Sequence, residues 1–286
     1  EEIGGESVLV MRRFDTAGVL GEQSAAVPDW APDLDLMHDL GRLVARFHAG
    51  SEVCRDAEHA NNIKYVIDSN SRNIAVFRDQ LGAEAVDAYD AAVRAAYDRV
   101  RGSVLRRFGD GHVRHCHGDL HLGNILIENG APVLFDCIEF NERLSQIDVL
   151  YDLAFLLMDL WVRGHASAAS RVLNAWLEQA ARLEDDARGL YAGLELLPLY
   201  MSVRAGVRCH VNANYGGEAH YGMDKARAYL DAAHRFLDPA PARLTAIGGL
   251  SGSGTSTRAR KIAPELGRAT GAVTLRADEI RKRPCA

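Results

Sequence analysis

Three oxygen-bearing side chains follow one another in residues 115–136 at a spacing suited to phosphoryl transfer. Asp119 and Asn124 stand five positions apart in the segment HCHGDLHLGN, and Asp136 comes twelve positions after Asn124, behind an apolar run. In a phosphoryl-transfer site, one carboxylate accepts or orients the proton of the substrate hydroxyl. An amide oxygen and a second carboxylate hold Mg²⁺ against the nucleotide phosphates. The residue types and their spacing therefore predict this kind of chemistry.

A predicted β-hairpin brings the two ends of this motif together. Residues 125–127 and 132–135 are apolar, and Asn129-Gly130 lies between them. Asn-Gly between two apolar runs is a strong hairpin signal. Asn124 then stands just before the first strand and Asp136 just after the second. Both side chains emerge at the same end of the ribbon, where one metal ion could bridge them.

The motif H-G-D-L-H-x-x-N, followed by a lone Asp, resembles the aminoglycoside phosphotransferase family of small-molecule kinases over residues 8–237. Its spacing is also similar to the protein-kinase pair H-R-D-x-x-x-x-N and D-F-G. The resemblance implies that Asp119 is the catalytic base and that Asn124 and Asp136 hold Mg²⁺. It also implies that His117 stabilises the loop and that His121 lies near the phosphates of ATP.

Two further pairs of charged residues admit more than one interpretation. Asp148 and Asp152 lie one turn apart and could be an N-cap and a first-turn partner of the helix dipole. The family's D-x-x-x-D-L-A helix buttresses the catalytic loop, and the resemblance favours that role for both. Arg204 and Arg208, also one turn apart, either bind an anion or cross-link helices.

Apolar periodicity predicts a mostly helical chain with few strands. A short strand is predicted at Val8–Arg12. The predicted helices are 33–50, 84–107, 146–162, 167–184, 186–210 and 222–236. The predicted fold class is therefore α+β, similar to a mostly helical kinase-like C-lobe.

Kinases of this type also have an N-terminal β-lobe, with a lysine that holds the α and β phosphates. Only ten residues precede Met11, and the first lysine is Lys64, beyond the predicted hinge strand. We therefore expect the chain to be a fragment that lacks most of the N-lobe and its phosphate-anchoring lysine.

A second nucleotide motif follows the helices. Gly249, Gly252, Gly254 and Ser256 fit the pattern G-x-x-x-x-G-K-[ST], except that Thr255 replaces the lysine. Backbone N–H groups of such a loop can still contact phosphates. Without the lysine, the charge of the β and γ phosphates is poorly compensated. The sequence predicts a degenerate P-loop, with a strand at 244–247 before it and a helix at 257–266 after it.

These motifs predict two domains. The kinase-like domain covers 1–237, a proline-containing linker covers 238–242, and the start of an α/β P-loop domain covers 243–286. The arrangement resembles a bacterial architecture in which an aminoglycoside phosphotransferase-like domain is fused to an ATP-binding domain. In the resemblance to small P-loop kinases, Asp278 would lie near the phosphate acceptor.

Composition narrows the class of protein. The chain has a net charge of −6, and 25% of its residues are charged. Asp152 and Asp159 interrupt its longest apolar run, which excludes a membrane span there. The opening residues lack the features of a secretory signal, and five scattered cysteines without C-x-x-C spacing indicate a reducing cytoplasm. We expect no nucleic-acid or membrane partner.

The sequence thus predicts an ATP- and Mg²⁺-dependent phosphotransferase that acts on a small hydroxylated molecule, aminoglycoside-like by resemblance. The alternative is a non-catalytic nucleotide-binding or regulatory module, in which a pseudokinase is joined to a degenerate P-loop. The absent lysines favour the alternative, whereas the presence of Asp119, Asn124 and Asp136 together favours catalysis.

Overall fold

Helices dominate the structure, a computed structural model that describes residues 2–3, 6–7, 15–27, 29–183, 187–215 and 219–281. The helices are α1 (Leu20–Ala26), α2 (Leu34–Gly50), α3 (Asn62–Ala75), α4 (Arg78–Leu81), α5 (Ala83–Gly109), α6 (Glu142–Ser145), α7 (Val149–Val162), α8 (Ala166–Leu183), α9 (Ala187–Ala192), α10 (Leu197–Asn214), α11 (Ala219–Leu237), α12 (Thr255–Ile262) and α13 (Ala277–Arg281). The strands, all antiparallel, are β1 (Glu2–Ile3) with β2 (Glu6–Ser7), β3 (Val113–His115) with β6 (Gln146–Asp148), and β4 (Ile125–Glu128) with β5 (Ala131–Leu134). The mostly helical α+β prediction is confirmed, and the predicted strand at 8–12 lies outside the described residues.

Helix α2 begins where the sequence predicted, because the side chain of Asp33 caps it by accepting hydrogen bonds from the first turn. Its apolar face, including Leu40 and Val44, is fully buried and packs against α8. A Cβ atom at Gly41 would lie 2.5 Å from the carbonyl oxygen of Val172 on α8. Glycine at this position therefore allows the two helices to approach closely.

Helix α7 lies at the centre of the core, since every residue from Val149 to Leu160 is buried. The predicted helix 146–162 begins later than expected, and that part of the prediction is wrong. Residues 146–148 form β6, in which Gln146 pairs with His115 of β3. No helix in the described part of the chain is long and apolar enough to cross a membrane.

The later helices follow the predicted pattern with one break. Helices α8 and α11 confirm the predictions at 167–184 and 222–236. The single helix predicted at 186–210 is instead divided into α9, a 3-10 turn at Gly193–Leu196, and α10. Pro198 lies in the first turn of α10, where the N–H group that it lacks would have no helical partner.

The predicted hairpin is confirmed by β4 and β5, in which Ile125 pairs with Leu134. Asn129 and Gly130 both have positive φ, 52° and 77°. These values suit a two-residue turn whose twist matches that of the strands. The hairpin therefore fixes the positions of the residues that flank it on either side.

Helix α1 packs directly on the turn that carries Asn124. Val19 forms an isolated bridge with Leu126 at the edge of the hairpin. A Cβ atom at Gly21 would lie 2.9 Å from the Cα atom of Gly123. The close approach of these two glycines places α1 beside the turn at residues 122–124.

The strand predicted at 244–247 is absent from the structure, and this prediction is wrong. These residues are irregular, and Leu244 is 94% exposed. A strand needs a partner for its backbone N–H and C=O groups, and no described strand pairs with this segment. The helix predicted at 257–266 forms as α12, followed by a 3-10 turn at Ala263–Glu265.

Residues 263–274 lie against α8 and are fastened by one side chain. The amide nitrogen of Asn174 donates to the carbonyl of Ala272 (3.2 Å), and its oxygen accepts from the backbone N–H (2.6 Å) and the hydroxyl (2.8 Å) of Thr274. Ala263 and Thr270 are each 2% exposed. This segment is therefore packed against the helical body.

Candidate active site

The segment from Cys116 to Asn124, here named the HGD loop, joins β3 to the hairpin. The amide nitrogen of Asn124 donates to the backbone carbonyl of Asp119 (2.9 Å) and to its Oδ2 atom (3.0 Å). The amide hydrogens of Asn124 thus point at Asp119, which leaves its amide oxygen available to another partner. The structure brings together the two residues whose spacing first suggested a site.

His121 contacts the same oxygen of Asp119. Its Nδ1 atom accepts a hydrogen bond from the N–H of Gly123 (3.0 Å), so in a neutral ring the proton is on Nε2, which lies 3.3 Å from Asp119 Oδ2. The ring packs edge-on against Phe155 of α7, with centroids 5.2 Å apart. Asp119 Oδ1 makes no hydrogen bond with a described residue, and the side chain of Asp119 is 38% exposed.

The environment keeps Asp119 ionised. Burial raises its pKa, but the hydrogen bond from His121, the charge of Arg204 and the hydrogen bond from Asn124 outweigh burial. The pKa of Asp119 therefore lies below its usual value. At neutral pH this carboxylate is a hydrogen-bond acceptor.

Asp136 follows the hairpin in a left-handed backbone conformation, with φ of 61°, which aspartate tolerates better than most residues. The N–H of Phe135 donates to the carbonyl of Asn124 (3.2 Å), and the N–H of Ile138 donates to the carbonyl of His117 (2.9 Å). Asp136 is exposed, and no described residue donates a hydrogen bond to its carboxylate. The backbone on both sides of Asp136 is thus fastened to the HGD loop.

His117 supports the loop from beneath. It is 2% exposed, and its Nε2 atom donates to the backbone carbonyl of Phe135 (2.9 Å). This contact joins the start of the HGD loop to the residue before Asp136. The loop-stabilising role that the resemblance implied for His117 stays a prediction.

Asp152 binds the backbone of the HGD loop from α7. Its carboxylate accepts hydrogen bonds from the N–H groups of His117 (3.2 Å) and Gly118 (2.8 Å), and from Nε2 of His48 (3.1 Å). Trp176 in turn donates its indole N–H to Nδ1 of His48 (3.1 Å). Burial raises the pKa of Asp152, but the hydrogen bond from His48 and the charge of Arg204 help to hold it below its usual value.

Asp148 is directed elsewhere. It accepts two hydrogen bonds from Arg107 of α5 (2.6 and 2.8 Å) and one from the hydroxyl of Tyr200 (3.1 Å). It also caps α7 through the N–H of Leu150 (2.8 Å). These contacts join helices, whereas only Asp152 of the predicted pair contacts the HGD loop.

Three contributors to the site were missed by sequence reasoning. His48 stands in the last turn of α2, where a histidine looks like an ordinary partner of the helix dipole. Trp176 looks like a core residue of α8. Asp159 lies seven residues after Asp152 on α7 and accepts a hydrogen bond from the N–H of Leu122 (3.1 Å). The spacing of Asp159 from Asp152 is the signal that could have identified it.

His48, Cys116 and Asp152 place ligand-type atoms within 4.8 Å of one another. Their contacts indicate a hydrogen-bond cluster and not a metal site. Both ring nitrogens of His48 are engaged, and both oxygens of Asp152 accept N–H groups. Burial raises the pKa of Cys116 well above its usual value, so the residue is a thiol and a poor metal ligand.

The glycine-rich loop that begins at Gly249 is exposed. Gly252 and Gly254 both have a backbone φ of 80°, a value that residues other than glycine rarely adopt. Gly254 is the N-cap of α12. Thr255 and Ser256 form the first turn of that helix. The predicted loop-to-helix geometry is present, but the strand expected before it is not.

Comparisons with known proteins place most of the chain in a family. The model of the phosphotransferase enzyme family (APH) matches residues 9–190, which include the HGD loop and Asp136. The chain is 29% identical over 290 residues to Uncharacterized protein Rv2004c of Mycobacterium tuberculosis and to Uncharacterized protein Mb2027c of Mycobacterium bovis. The matches cover 97% of the chain and 54% of each relative, so the chain spans about half the length of these relatives.

Proposed function

Because the chain belongs to the phosphotransferase enzyme family, we propose that it transfers the γ-phosphoryl group of ATP to a hydroxyl group of a small molecule. Asp119 is the base, and Asn124 and Asp136 hold Mg²⁺. Membership of the family supports the general reaction class, phosphoryl transfer. The nucleotide, the metal and the acceptor are the parts that this proposal adds.

The observation that carries the proposal is that the two carboxylate oxygens of Asp119 have different surroundings. Oδ2 is held by Asn124 and His121, at 3.0 and 3.3 Å, whereas Oδ1 is directed to no described residue. A base must be fixed in orientation and yet offer one oxygen to the reacting hydroxyl. Asp119 meets both requirements and is ionised at neutral pH because its pKa is lowered.

The residues also fit a magnesium ion. Mg²⁺ prefers oxygen ligands and is bound in kinases by one or two protein groups together with substrate phosphates. The amide nitrogen of Asn124 donates to Asp119, so its amide oxygen is the atom available to a metal ion. The carboxylate of Asp136 is exposed. Magnesium bound there would neutralise charge on the transferring phosphates.

The protein's own groups account for positioning and proton transfer. Oδ1 of Asp119 accepts a hydrogen bond from the acceptor hydroxyl and so orients its oxygen toward the γ phosphorus. As the new O–P bond forms and the bond to ADP breaks, the hydroxyl proton passes to Asp119. His121 and Asn124 hold the carboxylate in place during this step.

The glycine-rich loop is proposed as a second, weaker phosphate contact. The left-handed glycines Gly252 and Gly254 lead into the N-terminus of α12, where backbone N–H groups point outward. Thr255 supplies no positive charge, so we expect little turnover there. If nucleotide binds only at this loop, the protein is a nucleotide-binding module and not a phosphotransferase.

Transfer is tested by measuring ADP formation from Mg²⁺-ATP against a panel of small alcohols, sugars and aminoglycosides. Asp119→Asn should lower kcat about a hundredfold to ten-thousandfold, the usual contribution of a general base, and should leave nucleotide affinity nearly unchanged. The exposed Asp110→Asn serves as the matched control. Full turnover by Asp119→Asn would overturn the assignment.

The location of nucleotide binding is tested by calorimetric titration of Mg²⁺-ATP into the wild-type chain, Asp136→Ala and Gly254→Asp. We expect Asp136→Ala to remove most of the binding heat and Gly254→Asp to remove little. Loss of binding only in Gly254→Asp would instead support the nucleotide-binding module. Absence of binding by the wild-type chain would contradict an ATP site at Asp136 in residues 1–286.

A further inference from the structure

Arg204 of α10 is a buried cation that reaches the base of the candidate active site. The residue is 5% exposed, and its Nε atom donates to the backbone carbonyl of Tyr151 (3.2 Å). Its guanidinium carbon lies 3.9 Å from the centre of the Tyr151 ring and 4.6 Å from that of Phe155. Such a position is costly for a charge unless an anion compensates it.

The anion is Asp152, whose side chain is fully buried. Nη2 of Arg204 lies 3.8 Å from Oδ1 of Asp152 and makes no hydrogen bond with any described residue. Asp152 is the same carboxylate that accepts the N–H groups of His117 and Gly118. Arg204 therefore faces the group that holds the HGD loop.

The other neighbours of Asp152 are neutral. His48 accepts the indole N–H of Trp176 on Nδ1, so its single proton is on Nε2, which donates to Asp152. His117 donates Nε2–H to a carbonyl, and its Nδ1 is buried without a partner among the described residues. A proton on that Nδ1 would be a buried donor with no acceptor. Arg204 is thus the full positive charge that faces Asp152 in the described part of the chain.

A second chain of contacts connects Arg204 with Asp119. The ring of Phe155 contacts both Arg204 and His121: the guanidinium carbon of Arg204 lies 4.6 Å from its centre, and the His121 ring lies 5.2 Å from it. His121 in turn contacts Asp119. Arg204 therefore packs against the same ring that His121 contacts.

We propose that Arg204 is a positioning residue for the HGD loop, acting as the counter-ion of Asp152. Of the two interpretations of Arg204 and Arg208, this one is the helix cross-link, because Arg204 joins α10 to α7. Arg208 lies one turn further on, over the ring of Tyr229 at 5.8 Å, and contacts neither Asp152 nor Phe155 in the described structure.

The test observes the hydrogen bond between Gly118 and Asp152 directly. His117-Gly118 is the chain's one His-Gly pair, so labelling His with ¹³C at the carbonyl and Gly with ¹⁵N gives a single amide signal by NMR. Asp152→Asn defines the shift expected when the charge-assisted bond is lost. Arg204→Met should move the Gly118 amide proton away from its wild-type position, because Asp152 loses the charge that it faces, and should speed its hydrogen exchange about tenfold.

Two controls make the result specific. Arg208→Met should leave the Gly118 signal at its wild-type position. Arg204→Lys keeps the charge and should restore part of the shift. A folded Arg204→Met variant with a wild-type Gly118 signal and exchange rate would overturn the proposal.

If Arg204→Met alone does not fold, the double variant Arg204→Met/Asp152→Asn decides the question. Removing both charges leaves no uncompensated carboxylate, so the double variant should fold and match Asp152→Asn in its Gly118 signal. An unfolded double variant, compared with a folded Asp152→Asn, would show that Arg204 acts through something other than Asp152 and would overturn the proposal.

The catalytic consequence rests on the proposed function, whereas the Gly118 signal does not. With Mg²⁺-ATP as the probe, Arg204→Met should lower kcat for ADP formation while leaving KM for the nucleotide near its wild-type value. Absence of turnover in the wild-type protein would count against the proposed function, and the Gly118 signal would still decide the role of Arg204.

Discussion

At the scale of single residues, the direction of each hydrogen bond in the site follows from one neighbour to the next. The N–H of Gly123 fixes the proton of His121 on Nε2, and that proton faces Asp119. In the same way, Trp176 fixes the proton of His48 on Nε2, where it faces Asp152. Both carboxylates therefore receive donors from neutral rings, and the two histidines share one arrangement.

A residue-scale prediction concerns His112, at the junction of α5 and β3. Burial, together with the charges of Arg107 and Arg114, lowers the pKa of His112 from 6.5 to about 4. The unfolded chain therefore takes up this proton first as the pH falls. Stability should decline between pH 6.5 and 4, and this histidine should contribute at most about 3 kcal/mol to the decline.

Urea unfolding at several pH values checks this prediction. In His112→Gln the free energy of unfolding should fall less steeply with acid over that range, because no proton is taken up at this position. Equal slopes for wild type and His112→Gln would contradict the prediction.

Sequence spacing was a good guide to residues that are close along the chain. Asp119 and Asn124 are in contact, as their place on one loop suggested. The sequence could not reveal His48, because its contact with Asp152 spans 104 positions. Nothing in the local pattern of α2 distinguishes a histidine that contacts Asp152 from one that ends a helix.

At the scale of elements, the contact between α2 and α8 depends on Gly41. Replacing it with alanine would gain roughly 0.5–1 kcal/mol of helix propensity. The new Cβ atom would, however, lie 2.5 Å from the carbonyl oxygen of Val172 and 2.9 Å from the Cβ of Ala175. We expect Gly41→Ala to destabilise the protein by about 1–3 kcal/mol, as overpacked core sites do.

Gly102 is the matched control for this substitution. It lies inside α5 with no atom within 4 Å of a Cβ placed there. Gly102→Ala should therefore stabilise the protein by roughly 0.5–1 kcal/mol. Urea unfolding of both variants gives the comparison. A Gly41→Ala variant as stable as Gly102→Ala would contradict the prediction, because α2 and α8 would then move apart without loss of folding free energy.

Periodicity predicted helices well because an amphipathic stripe is a local property. It failed where an element depends on a distant partner. Residues 146–148 form a strand because Val113–His115 lies beside them, and 244–247 lacks such a partner in the described residues. A strand is specified by its neighbour as much as by its own sequence.

At the scale of the whole molecule, Asn174 joins the segment after the linker to the helical body. Asn174→Ala would remove the hydrogen bonds to Ala272 and Thr274. We expect backbone amides in residues 263–275 to exchange with solvent about tenfold faster, with little change in α2. Hydrogen exchange measured by mass spectrometry checks this.

Asn214→Ala is the control, because among the described residues the side chain of Asn214 bonds to its own helix, at the carbonyl of His210. It should leave exchange in residues 263–275 unchanged. Equal protection of this segment in Asn174→Ala and wild type would mean that packing of Ala263 and Thr270 alone holds it in place. The predicted boundary at 238–242 stays a prediction alongside this docking.

The docking of residues 263–274 on α8 also limits how a gene of this kind can be divided or recombined. A breakpoint at the prolines of 238–242 would give the helical part a bare surface on α8, with Asn174 facing water in place of Ala272 and Thr274. A lineage that exchanged the residues after this breakpoint would inherit a gap there. A stable fusion must therefore either retain residues 263–274 or supply other residues that cover the surface of α8 around Asn174.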